Sequence, residues 1–130
     1  MIELIEQHQS QAWPARYATG APLAAVEGAL GSRFHLWRTA DGRRVVCTVF
    51  ARLDALDCLE EMDAAIVIGV GVDRFGLARI VCALGPDDRR EARDRMREAS
   101  AAGAYEWHVH MLCPDRGSAV ALAEALRAPT

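Results

Sequence analysis

Apolar and polar positions change their period along the chain. Ile2, Leu4, Ile5 and Ala12 form a helical stripe that ends at Trp13-Pro14, where proline stops the pattern. A second short helix fits Pro22 to Leu30, with proline in its first turn and Gly31 after its end. Tyr17-Ala18-Thr19-Gly20 reads as the turn between them. From Arg33 the period becomes two. Phe34-His35-Leu36-Trp37-Arg38 and Arg44-Val45-Val46-Cys47-Thr48-Val49-Phe50 flank Ala40-Asp41-Gly42, and an Asp-Gly between such runs predicts a hairpin. Leu53, Leu56 and Leu59, interleaved with Asp54, Asp57 and Glu60, predict an amphipathic helix. Ala64 to Val72 is apolar on both faces, as a central strand is, and Asp73-Arg74-Phe75-Gly76 turns it into a partner over Leu77 to Leu84.

Gly85-Pro86 ends that strand, and Asp87-Asp88 open a charged helix running from about Pro86 to Ala102. Its inward stripe is only Ala92, Met96 and Ala99, and Gly103 stands at its C′ position. A strand over Ala104 to Cys113 and a helix over Gly117 to Leu126 complete the chain, with Ser118 as the expected N-cap. The predicted order is α-α-β-β-α-β-β-α-β-α. This is an α+β single domain over residues 1–130, with a mixed five-stranded sheet and helices mainly on one face. An N-terminal helical segment occupies 1–31 and the sheet-and-helix core 33–127.

Composition narrows the chemistry. Eighteen acids against fifteen bases leave a net charge of −3, which argues against nucleic acid as a partner. Arg89, Arg90, Arg93, Arg95 and Arg97 are interleaved with Asp87, Asp88, Glu91, Asp94 and Glu98, which reads as a solvated helix face. All the bases are arginine. The absence of lysine excludes a phosphate-binding G-x-x-x-x-G-K loop and lysine Schiff-base chemistry, and the absence of asparagine excludes a Cys-His-Asn triad. Cys47, Cys58, Cys82 and Cys113 form no C-x-x-C and sit in apolar surroundings, as reduced thiols do. The longest apolar run, nine residues, is half a membrane span, and the start has no signal-peptide pattern; a cytoplasmic location is expected, with no membrane contact.

The chemistry that remains is concentrated in Tyr105-Glu106-Trp107-His108-Val109-His110-Met111-Leu112-Cys113. Strand alternation puts Trp107, Val109 and Met111 on a core face and Glu106, His108 and His110 on the other. An acid and two imidazoles on one face can converge on a divalent metal ion, with His35, Asp41 or Asp115 as a further ligand. A solvent-facing surface set is the plain alternative. Over about seven residues the string resembles the signature of the histidine triad nucleotide hydrolases, with Glu106 in the place of the first histidine. That resemblance implies His108 as nucleophile. The family's upstream glycine-histidine strand and proline-rich turn are missing, and the resemblance is not adopted.

Two function classes follow. The first is a small cytoplasmic, non-enzymatic domain that binds a protein partner or itself as a homo-oligomer. The second is a metal-dependent or histidine-dependent hydrolase centred on Glu106, His108 and His110. A small-ligand pocket lined by Trp37, Phe50 or Trp107 is a third expectation, and Trp13 is expected to cover an edge or a partner.

Overall fold

The computed structural model describes residues 34–127 and the backbone of Thr19–Pro22. Trp13 and both N-terminal helices expected before and after that tetrapeptide fall on residues outside those described. The strands are β1 (Thr19–Pro22), β2 (Phe34–Arg38), β3 (Arg44–Phe50), β4 (Ile66–Val72), β5 (Ala78–Leu84) and β6 (Glu106–His110). The helices are α1 (Arg52–Glu61), α2 (Ala92–Ala101), which follows a 3₁₀ segment over Pro86–Glu91, and α3 (Arg116–Arg127). The five expected strands and the three expected core helices are present in the expected order. β1 is a correction: Thr19 and Gly20 extend a strand instead of turning, and Pro22 belongs to that strand, opposite His35.

The sheet order is β1-β2-β3-β6-β4-β5, and every pairing is antiparallel. The expected mixed pairing does not occur, for a definite reason. The β3-α1-β4 and β5-α2-β6 crossovers do join strands of like direction, but each skips one position. The gap left by the first is filled by β6, the last strand in sequence, which pairs with both β3 and β4. Both hairpins form where expected, with Gly42 at φ +88° and Gly76 at φ +81°, in the left-handed region that glycine enters without strain.

The sheet curls until its end strands, β1 and β5, approach within 8 Å between Cα atoms. Curling separates two cores. Inside the curl, Trp37, Val45 and Cys47 meet Ile66, Ile68, Val70 and Ala83, and α3 closes the mouth with Ala119, Leu122, Ala123 and Leu126. Outside it, α1 and α2 cover Val67, Leu84, Trp107 and Val109. Two of the three helices thus share a face. The thin seam of α2 is the predicted one, Ala92, Met96 and Ala99.

Polar pairing fixes the elements between the layers. Asp88 accepts from Gly85 N–H at 2.8 Å, from Arg95 Nη1 at 2.9 Å and from Arg127 Nη1 at 3.2 Å. Arg127 also donates to Ala83 O on the outermost strand. Arg89 donates to Leu59 O and Met62 O, satisfying carbonyls at the end of α1. No helix among the described residues is long and apolar enough to cross a membrane.

Close backbone approach sets one position of β4. A Cβ on Gly71 would stand 2.8 Å from the Gly103 carbonyl oxygen and 3.2 Å from Val81 Cγ2. Backbone cannot swing aside as a side chain can. Gly71→Ala is therefore expected to lower stability by about 2 kcal/mol in urea unfolding, through overpacking. An unchanged midpoint would show that the α2-β6 turn relaxes freely.

Candidate functional site: an inward-facing histidine cluster

The alternation expected in β6 is observed. Trp107 and Val109 enter the outer core, while Glu106, His108 and His110 point into the curl. That second face is not a solvated one. His108 is fully buried, with His35 and Trp37 of β2 laid against it, and His110 is only 7% exposed. In the strand ladder His108 lies between Val49 and Ile68, and His110 lies opposite Ile66.

Hydrogen bonding decides which nitrogens are available. Trp37 Nε1–H donates to His108 Nδ1 at 2.9 Å. Indole is a donor only, so Nδ1 is bare and Nε2 carries the ring proton. His108 Nε2–H then donates to Glu106 Oε1, also at 2.9 Å. This bond from His108 outweighs partial burial and holds the Glu106 carboxyl below its usual range. The result is a chain from indole to imidazole to carboxylate, ending at a Glu106 side chain that is 40% exposed.

His110 is arranged differently. Its Nδ1 lies 2.8 Å from Val46 O, so Nδ1–H donates to the carbonyl and Nε2 keeps its lone pair. Burial, helped by the nearby Arg43 charge, lowers its pKa against the opposing effect of that backbone bond. His35 comes to the cluster through its ring face, with centroids 4.5 Å from His108 and 4.8 Å from Trp37. Its Nε2 is buried without a hydrogen-bond partner. Burial first, and the neighbouring His108 second, hold its pKa well below the ordinary imidazole value.

Glu106, His108, His110 and His35 therefore do gather in one region, but as three separate arrangements. His108 offers no nitrogen to a metal or to an electrophile unless one of its two bonds breaks. No group of three or more His, Cys, Asp or Glu among the described residues is placed to hold a metal ion. Asp41 is engaged with Thr39 and Arg43 in the β2-β3 turn. Asp115 caps α3 by accepting from Ser118 N–H at 2.7 Å, so the cap is Asp115 and not Ser118. All four thiols are free, and burial pushes the Cys47 thiol well above its usual range. Trp37 and Trp107 occupy opposite cores.

The contact between Trp37 and His108 links positions 71 apart and has no local sign in the sequence. The placement of His35 and Trp37 at i, i+2 on one face of β2 was the available signal. A second feature was masked by charge alternation. A depression of about 330 Å³, open to solvent, lies between α1 and α2 and is lined by Arg52, Leu53, Leu56, Arg93, Met96 and Arg97. Arg97 pairs with Asp94 at 3.0 Å and Arg52 donates to Ser100 Oγ, whereas Arg93 has no ion-pair partner among the described residues. Comparison of the chain with protein-family models, with curated proteins and with solved structures finds no significant match.

Proposed function

We propose that the chain is a small cytoplasmic, non-enzymatic domain that associates with itself. The observation that carries this reading is the division of labour between the two sides of the sheet. The side chains able to do difficult chemistry are turned inward, where His108 spends both ring nitrogens on Trp37 and Glu106. The outer helices instead present an arginine-lined groove in which Leu53 is 62% exposed. Partly apolar, charge-framed surfaces of this kind suit association between proteins.

Sedimentation equilibrium from low to high micromolar concentration tests the reading. The expected result is an average mass that rises reversibly with concentration. A monomer mass over the whole range overturns it. The hydrolase reading has one observation in its favour, the bare Nε2 of His110. It predicts metal near one equivalent in the purified protein, lost in His110→Ala; metal-free protein with the same melting temperature in added zinc or manganese counts against it.

A further inference from the structure

We propose that two copies pair through the α1-α2 face, the acidic ridge of one α1 lying over the arginine-lined groove of the other. The inference rests on the self-association reading and names the surface responsible. Asp54, Asp57 and Glu61, at i, i+3 and i+7, share one flank of α1. All three act on the same neighbour, Cys58, whose thiol is raised by burial and then by these carboxylates. None of the three has a salt-bridge partner among the described residues. Leu53 and Leu56 face the groove, where Arg52, Arg93 and Arg97 stand around the apolar floor completed by Met96.

One helix thus separates a ridge of unpaired carboxylates from a groove of incompletely paired guanidinium groups. A second copy supplies the complement of both at once. A two-fold axis requires that each contact occur twice, with ridge on groove and groove on ridge. An antiparallel arrangement of two ten-residue helices, each about 15 Å long, sets Asp57 and Glu61 of one copy beside Arg52 and Arg93 of the other. Leu53, exposed in the single chain, leaves water in that contact. Exposed ion pairs contribute little individually, so charge sets orientation and Leu53 supplies apolar burial. The association is accordingly weak and falls with added salt.

Charge reversal tests the pairing with the protein alone. Arg93→Glu/Arg97→Glu and Asp57→Arg/Glu61→Arg alter only exposed positions. Each variant alone sets like charges against each other and is expected to raise the dissociation constant at least about tenfold. An equimolar mixture restores opposite charges on both halves and is expected to associate as the wild type does. Circular dichroism confirms that both variants fold, and Leu53→Ser, which leaves the charges in place, is expected to weaken association as well. Three results overturn the inference. If wild type is monomeric throughout, the self-association reading fails and the groove is left to an acidic partner. If the variants associate like wild type, self-association stands and this face is wrong. If the variants dissociate but their mixture does not recover, the charges act through something other than the proposed complementarity.

Discussion

Trp37→Phe is expected to lower the unfolding free energy by about 3 kcal/mol at neutral pH, from two additive sources. The first is polar. His108 is fully buried, and losing the indole N–H leaves its Nδ1 without the donor 2.9 Å away, which costs about 1–3 kcal/mol. The second is volume. Trp37 is also fully buried, and a smaller ring leaves a cavity at the centre of the inner core. A double-mutant cycle separates them. His108→Leu alone removes the His108 acceptor of the Trp37 N–H and the donor to Glu106, whose carboxylate still reaches water. Once both partners are apolar, the buried polar mismatch disappears. The loss in Trp37→Phe/His108→Leu is therefore expected to fall short of the sum of the single losses by at least about 1 kcal/mol in urea unfolding. Strict additivity would mean that the indole-imidazole bond contributes nothing specific to the fold.

This cycle concerns residues whose types, but not relations, are legible in the sequence. Period and punctuation locate elements well where the structure is local. Asp41-Gly42 and Asp73 to Gly76 make the expected hairpins, the stripe Ala92, Met96, Ala99 is the buried one, and β6 alternates as expected. Non-local pairing leaves no such local sign. Nothing in Glu106 to His110 specifies that this strand enters between β3 and β4, and the antiparallel character of the sheet follows from that insertion. β1 is four residues containing glycine and proline, too short for a period to develop. The burial of His108 and His110, with Glu106 left 40% exposed beside them, has no local sign for the same reason. Whether a polar strand face meets water or another strand depends on the curl, and the curl is a property of six strands together. A histidine run that looks like candidate chemistry in one strand becomes, with Trp37 and His35 laid across it, a hydrogen-bonded core.

That core makes stability depend on pH in a defined direction. Burial holds the His35 pKa well below its ordinary 6.5, with the neighbouring His108 adding to the effect, and burial also lowers that of His110. Well above pH 6.5 both histidines are neutral in folded and unfolded chains and contribute no pH dependence. As pH falls below that value, the unfolded chain takes up protons that the folded one resists. Stability then falls by about 1.4 kcal/mol per pH unit for each histidine protonated only in the unfolded chain. Glu106 and Asp88 are likewise lowered, from the ordinary carboxyl values of 4.5 and 3.8. Their stabilisation is present above those values and disappears at lower pH, so the interval just below pH 6.5 belongs to the histidines.

His35→Phe isolates the larger contributor. The substitution keeps an aromatic ring against His108 and Trp37 while removing an Nε2 that is buried without a partner. At pH 8 it is expected to raise stability by about 1 kcal/mol, since an unsatisfied polar atom leaves the core. At pH 5.5 the advantage is expected to be larger, because the variant no longer carries the proton linkage of His35 while His110 still acts in both proteins. His35→Leu provides the same comparison if the phenyl ring overfills the site. Urea midpoints measured from pH 5 to pH 8 should therefore diverge between wild type and variant as the solution is acidified. Parallel curves would mean that His35 binds its proton as readily in the folded chain as in the unfolded one, and the buried, unpartnered imidazole would lose its standing as the main acid-sensitive element of the core.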